Sequence, residues 1–255
     1  MNLRLNQKIA SNYKSPSQKA RVITESWVAS NIYCPVCGVD IKKYKSNRPV
    51  ADFYCARCVE EYELKSKTNA IGSKIVDGAY KTMLERLASS SVPSLFLLSY
   101  SSHDYSVLDF FTIPKHFFVS SIIERRPPLS PDARRAGWVG CNILLEGIPN
   151  SGRIFYIKNR HIESKNTVLG AWKKTLFLRE EKEDLNKGWI LDIMRCIDNL
   201  GKKEFNLNEI YIFEKDLSAL HPNNKHIKDK IRQQLQFLRD KGYLNFIGKG
   251  RYELI

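Results

Sequence analysis

The sequence predicts an α/β domain with an embedded four-cysteine zinc site, followed by a smaller α+β domain of three helices and a β-hairpin. Strand-like and helix-like apolar segments alternate through the first two thirds of the chain, and two Cys-x2-Cys pairs lie near its N-terminus. The tail has three helical apolar periods and then a glycine-containing turn. We place the domain boundary between residues 182 and 183, with a linker at residues 180–186.

Length and charge narrow the class of protein. A chain of 255 residues can bury a sizeable core, and no run approaches the roughly 20 apolar residues of a membrane span. Because residues 1–4 lack a signal-peptide core, we expect a cytoplasmic protein with reduced thiols. The net charge of +14 favours a polyanionic partner, nucleic acid first. Residues 1–182 hold 28 basic and 16 acidic side chains, and residues 183–255 hold 13 and 11.

Periodicity and capping predict the elements of the first domain. Ser15-Pro16 begins a helix that continues through Ser30, because a small polar cap followed by proline is a favoured start. An apolar stripe at helical spacing predicts a second helix over residues 73–87. Residues 95–100, 105–113 and 153–158 are strand-like, and residues 114–118 suit a short helix or turn. Strands interleaved with helices indicate a mixed sheet.

The cysteine spacing predicts a metal site. The ligands would be Cys34, Cys37, Cys55 and Cys58, two pairs separated by 17 residues, as is typical of structural zinc. Four thiolates complete a tetrahedral site, so the zinc is expected to be structural. A pair of disulfides is the alternative, and it conflicts with the expected reducing compartment. Cys141 and Cys196 lie in apolar surroundings and are predicted to be core residues.

Three charged residues overlap this cysteine region. Asp52, Glu63 and Lys65 form an Asp-x10-Glu-x-Lys pattern, in which apolar neighbours indicate strands and the second cysteine pair lies between the carboxylates. On a strand, Glu63 and Lys65 point to one face. Two carboxylates suit Mg²⁺, which activates water for phosphodiester hydrolysis. Lys65 would orient that water, deprotonate it as the neutral amine, or stabilise the pentavalent phosphate as the ammonium. The alternative is a solvated strand with alternating charges. Glu25, in the first helix, either assists the metal or is a solvated surface glutamate.

Residues 122–145 combine arginines, prolines and a glycine-flanked tryptophan, a composition that suits an ordered loop on a nucleic-acid backbone. The predicted DNA-contacting residues here are Arg125, Arg126, Arg134, Arg135 and Trp138. A core aromatic is the alternative interpretation for Trp138.

The tail pattern of helices and hairpin predicts a winged helix. Its second helix opens at Asn206-Leu207 and ends near His221-Pro222, and a two-stranded wing turns at residues 248–250. Because the third helix of such a domain enters the major groove, the predicted DNA contacts are Asn223, Asn224, Lys228, Arg232, Gln233 and Lys249, with Asn223 or Asn224 also capping that helix. A dimerisation domain of the same fold is the alternative.

Several segments resemble the DpnI-like, methyl-directed (type IIM) restriction endonucleases. The matching segments are residues 14–27, 48–67, 77–80, 133–143 and 224–241, whereas residues 1–12 and 157–188 match poorly. The resemblance implies a PD-(D/E)XK endonuclease domain followed by a winged helix. It implies cleavage of both strands of GATC sites whose adenine carries an N6-methyl group, so the partner would be adenine-methylated double-stranded DNA.

The resemblance also implies roles for individual residues. Asp52, Glu63 and Lys65 would be the catalytic set, the four cysteines would hold zinc, and Trp138 would belong to the methyl-reading region. Pro49 lies three residues before Asp52 and not directly before it, as the motif name would require. A nuclease with another nucleic-acid target and a non-catalytic zinc and winged-helix DNA binder stay open as alternatives. A monomer is the default expectation.

Overall fold

The computed structural model describes residues 1–45 and 51–255 and divides the chain into two compact units. The first comprises Met1–Leu145 and Ser151–Lys173, and the second comprises Glu146–Asn150 and Lys174–Ile255. The domain boundary predicted between residues 182 and 183 stays a prediction, but the end of the predicted linker is wrong, because residues 184–186 begin a helix. Arg48, Pro49 and Val50, which belong to the motif region of the sequence, lie outside the described residues. Within the described part of the chain, no helix is long and apolar enough to cross a membrane.

The first unit is built from three helices and ten strands within the described residues. In chain order they are α1 (Pro16–Asn31), β1 (Lys42–Lys43), β2 (Phe53–Tyr54), β3 (Glu61–Thr68), β4 (Lys74–Ala79), α2 (Tyr80–Ala88), β5 (Ser94–Tyr100), β6 (Val107–Ile113), β7 (Ile123–Arg125), β8 (Gly140–Leu144), β9 (Ile154–Lys158), β10 (His161–Ile162) and α3 (Lys165–Lys174). A 3-10 turn, Lys115–Phe117, follows β6, as residues 114–118 predict.

A seven-stranded sheet in the order β1-β2-β3-β5-β6-β9-β10 forms the centre of this unit. Strands β3 and β5 are parallel and their neighbours pair antiparallel, so the predicted α/β domain with a mixed sheet is confirmed. Every residue of β5 is buried, as expected of a strand covered on both faces. Phe96 of this strand stacks on Tyr62 of β3 with ring centroids 4.3 Å apart, which fixes β3 against the core.

A second sheet of three strands, in the order β4-β8-β7, corrects one prediction. The helix expected over residues 73–87 is wrong in its first half, because residues 74–79 are β4 and only α2 is helical. Ile75 is buried and pairs in register with Ile143 of β8. The stripe at helical spacing was ambiguous, and pairing with a distant strand decided between helix and strand.

The second unit contains four helices and a small sheet. They are α4 (Asp184–Leu200), β11 (Glu204–Asn206), α5 (Leu207–Tyr211), α6 (Glu214–Leu220), α7 (Ile227–Asp240), β12 (Leu244–Gly248) and β13 (Arg251–Leu254). Asn206 and Glu209 form a capping box that opens α5. The predicted second helix is interrupted at Ile212 and Phe213, so it consists of α5 and α6.

The helix-turn-helix and wing agree with the prediction, with two changes. His226 is the N-cap of α7, and its amide donates to Asn224 Oδ1 at 2.7 Å, so Asn224 supports the turn before the helix and neither asparagine is the cap. The wing hairpin of β12 and β13 gains a third strand because β11 pairs with β13. The sequence did not predict β11 because a strand of three residues is too short to show alternation of apolar and polar residues.

Candidate active site and metal centre

The turn between β2 and β3 holds half of a cysteine cluster. The four residues Cys34, Cys37, Cys55 and Cys58 place their sulfur atoms within 4.8 Å of one another. Two Sγ–Sγ distances are 3.4 Å, longer than a disulfide of about 2.05 Å, and all four thiols are free. A tetrahedron with Zn–S bonds of about 2.3 Å has an edge of about 3.8 Å, which lies inside this range. The four cysteines can therefore hold a zinc ion.

Hydrogen bonds preset the cysteines for a cation. Tyr62 Oη lies 3.1 Å from Cys34 Sγ, so a residue of β3 contacts the cluster directly. Burial raises the pKa of the Cys58 thiol to about 11. Burial would also raise the pKa of Cys55, but hydrogen bonds from the backbone of Cys58 and Arg57 lower it to about 7. Cys55 therefore loses its proton more readily than Cys58, as a metal ligand must.

The hairpin next to the cluster brings the predicted acidic residues together with the lysine. Glu63 and Lys65 lie on β3 with Oε1 and Nζ 2.6 Å apart, so the expected common face is confirmed. The strand position predicted for Asp52 is wrong, because the residue lies in a bend directly before β2. Its Oδ2 accepts a hydrogen bond of 2.7 Å from the amide of Leu64, and its own amide donates to Tyr62 O. Asp52 is therefore held against the same stretch of β3.

Burial shapes the charges of these groups. It raises the pKa of Asp52, an effect that the Leu64 amide opposes and the Glu25 carboxylate reinforces. Burial likewise raises the pKa of Glu63, against the attraction of Lys65. For Lys65, burial favours loss of the proton, but the carboxylates of Glu63 and Asp77 raise its pKa above the ordinary range. Two carboxylates that resist ionisation next to a retained ammonium form a site that a divalent cation would stabilise.

Asp77 is a member of this cluster that the sequence did not indicate. It lies on β4, in the other sheet of the unit, and its Oδ1 is 2.7 Å from Lys65 Nζ. Its side chain is only 12% exposed. The helix predicted over residues 73–87 hid this placement, because residue 77 lies on a strand that pairs with β8 and not on a helix.

Glu25 of α1 is buried, at 5% exposure, so its interpretation as a solvated surface glutamate is wrong. Its carboxylate pairs with Arg21 at 2.8 Å and with Lys43 at 2.7 Å. The two basic partners offset the cost of burying this charge. Glu25 also contributes to the raised pKa of Asp52, which places it in the electrostatic environment of the cluster.

The arginine-rich segment connects β7 with β8. Arg125, Arg134 and Arg135 are exposed, whereas Arg126 is half-buried and its amide donates to Gly140 O at 3.0 Å. The Arg135 guanidinium lies 4.5 Å above the ring of Trp138. Trp138 is itself half-buried, so it is not a core aromatic. With Tyr80, Leu84 and Val139 it lines a cavity of about 570 Å³.

In the second unit, the predicted DNA-contacting residues lie on α7, on the turn before it and on the wing. Asn223, Lys228, Arg232, Gln233 and Lys249 are exposed, and Asn224 is half-buried. Lys228 pairs with Glu214 at 3.3 Å, and Arg232 pairs with Asp229 and donates to Tyr211 Oη at 3.0 Å. When no DNA is bound, acidic neighbours therefore partly neutralise the charges of Lys228 and Arg232.

The two cysteines outside the cluster are core residues, as the sequence predicts. Cys141 and Cys196 are both buried, and burial raises the pKa of the Cys141 thiol to about 11 and that of Cys196 to about 12. Both thiols are therefore poor nucleophiles at neutral pH.

Comparison with known families gives two matches that together cover nearly the whole chain. Residues 1–181 match the family model described as DpnI, Dam-replacing family. Residues 185–254 match the model described as DpnI_C, Dam-replacing HTH domain. The second match agrees with the helix-turn-helix seen in the second unit.

Proposed function

Since the chain belongs to the DpnI, or Dam-replacing, family, we propose that it is a methyl-directed restriction endonuclease that cuts both strands of GATC sites whose adenines carry an N6-methyl group. The observation that supports catalysis most directly is the cluster on β3, where Glu63 and Lys65 are 2.6 Å apart and Asp52 is bonded to the same strand. We infer a PD-(D/E)XK core for the first unit, because its acidic residues and lysine follow that motif on a strand of a mixed sheet.

The donor set suits Mg²⁺. Asp52 and Glu63 offer carboxylate oxygens, which this hard cation prefers, and burial makes their charges costly until a cation binds. When bound, Mg²⁺ supplies a Lewis acid that lowers the pKa of a water and neutralises charge on the phosphate. Lys65 keeps its ammonium beside that position, where it orients the water and stabilises the pentavalent phosphate. The thiolate site, with zinc, fixes the turn between the two carboxylates.

Duplex DNA as substrate is supported by charge and by the second unit. The basic excess of residues 1–182 provides the general attraction to phosphate. Lys65, Lys67 and Lys74 border a cavity of about 310 Å³ beside the cluster, which suits a sugar-phosphate backbone. In the second unit, α7 would enter the major groove with Arg232 and Gln233 facing bases.

Methyl recognition needs an apolar surface that the substrate methyl group fills. Trp138 and the cavity it lines with Leu84 and Val139 provide such a surface. Burial of one methyl group contributes only about 0.8 kcal/mol. Strong discrimination therefore requires both adenines, both units, or a penalty for leaving the surface unfilled. A monomer acting in the cytoplasm completes the proposal.

A digest of two plasmids tests this function. The protein, with Mg²⁺ and bound zinc, is incubated with plasmid grown with or without adenine methylation. We expect double-strand cuts at GATC in the methylated plasmid alone, and none with the Lys65→Ala variant, which should still bind DNA. Equal cutting of both plasmids would show a nuclease with another target. Binding without cutting by the wild type, unchanged in Lys65→Ala, would show a non-catalytic DNA binder.

A further inference from the structure

The Lys65 ammonium lies between two carboxylates. Its Nζ is 2.6 Å from Glu63 Oε1 on the same strand and 2.7 Å from Asp77 Oδ1 on β4. All three side chains are at most a quarter exposed. At this depth solvent screens the ion pairs less than at the surface, so the position of the lysine depends on the balance between its two partners.

The β-ladder next to Asp77 is irregular, and this affects the direction of its side chain. The register between β4 and β8 shifts between Asp77 and Ala79, so the ladder contains an irregularity at Gly78. Such a β-bulge changes the direction of neighbouring side chains. The Asp77 carboxylate contacts Lys65 from a strand of the second sheet, whereas Glu63 lies on the same strand as Lys65.

The two partners of Lys65 differ in a second respect. In the proposed function Glu63 is a ligand of the divalent cation. The more strongly its carboxylate pairs with the Lys65 ammonium, the less available it is to the metal. Asp77 offers the ammonium another anion. Resting on that function, we propose that Asp77 is a positioning residue: it shares the Lys65 ammonium with Glu63 and so leaves more of the Glu63 carboxylate's charge for the divalent cation.

Two other roles for Asp77 make different predictions. If Asp77 were itself a metal ligand, its removal would weaken cation binding whether or not Lys65 were present. If its ion pair were only structural, its removal would lower stability without changing cation affinity. A double-mutant cycle between residues 65 and 77 separates these roles.

The readout is Mn²⁺ binding, measured by electron paramagnetic resonance titration of the zinc-bound full chain. We expect Asp77→Asn to weaken Mn²⁺ binding roughly tenfold, since Glu63 is then the one carboxylate of the pair left to neutralise Lys65 and competes less well as a metal ligand. In the Lys65→Ala background the same replacement should change Mn²⁺ affinity by less than about twofold. Asp77→Glu retains the charge and should restore most of the affinity; it also serves as the second variant if Asp77→Asn does not fold.

Cleavage gives an independent readout. The Mg²⁺ concentration for half-maximal cleavage should rise with Asp77→Asn by about the same factor as the Mn²⁺ dissociation constant, while kcat at saturating Mg²⁺ changes much less. Unchanged Mn²⁺ affinity in Asp77→Asn would overturn the inference, as would an equal loss in the Lys65→Ala background. If the wild type binds no Mn²⁺ and cuts no DNA, the proposed function fails instead.

Discussion

The second zinc knuckle has a backbone conformation that its sequence does not favour. Val59, directly after Cys58, has a φ of +58° and donates its amide to Cys55 O at 3.0 Å. The first knuckle has the same arrangement, in which Gly38 follows Cys37 with a φ of +74° and donates to Cys34 O at 2.8 Å. A β-branched residue therefore occupies, in one knuckle, the left-handed position that glycine occupies in the other.

We predict that Val59→Gly stabilises the first unit. The left-handed conformation costs an L-residue about 1–2 kcal/mol, which glycine avoids. Glycine loses more chain entropy on folding, and this offsets about 0.5–1 kcal/mol of the gain. Because Val59 is 79% exposed, its removal sacrifices little buried surface. The net gain is about 0.5–1 kcal/mol, which corresponds to a rise in Tm of about 1–4 °C for a chain of this size.

Scanning calorimetry of the zinc-bound chain measures this change, and sensitivity to a chelator identifies the transition of the first unit. The matched control is Gly38→Ala, which should lower the same Tm because a side chain is strained at that φ. Its Cβ would lie 2.7 Å from Lys165 Cε, the flexible part of a side chain that can move aside, so strain at φ is the main cost. A Val59→Gly chain that melts at or below the wild-type temperature would refute the reasoning.

Three further predictions concern the site. Burial raises the pKa of Asp52, so the folded chain favours the neutral carboxyl, and stability should fall as pH rises from the ordinary carboxyl range through that raised pKa. Without divalent cations, Asp52→Asn should therefore have a higher Tm than the wild type at neutral pH. A lower Tm would contradict this. Removal of zinc costs about 10–16 kcal/mol of binding free energy, so a chelator should abolish cleavage and the calorimetric transition of the first unit. The control is the transition of the second unit, because none of the four cysteines lies in that unit. Trp138→Ala should reduce the preference for methylated plasmid about fourfold per methyl group contacted, from about 0.8 kcal/mol each, and an unchanged ratio of the two cleavage rates would exclude Trp138 from methyl recognition.

The proposed catalytic residues and the four clustered cysteines can be found from sequence because their signals are local. Cysteines two apart within each pair lie on one tight turn, and Glu63 and Lys65 share a face because side chains alternate along a strand. The same holds for the buried run of β5 and for the capping box at Asn206. Period and spacing determine these features within a few residues, so no knowledge of distant partners is needed.

Only the tertiary structure decided which distant groups join the cluster. Asp77 contacts Lys65 from a strand that pairs with β8, more than sixty residues later in the chain. Glu25 is buried in ion pairs with Arg21 and Lys43. Strand β11 has too few residues to show a period, and the apolar residues of β4 also fit a helical stripe, so the conformation of both follows from the strand that each pairs with. The sequence alone identified the candidate ligands and the family, whereas the tertiary structure determined which distant charged groups surround those candidates, because contacts between distant segments leave no local period or spacing.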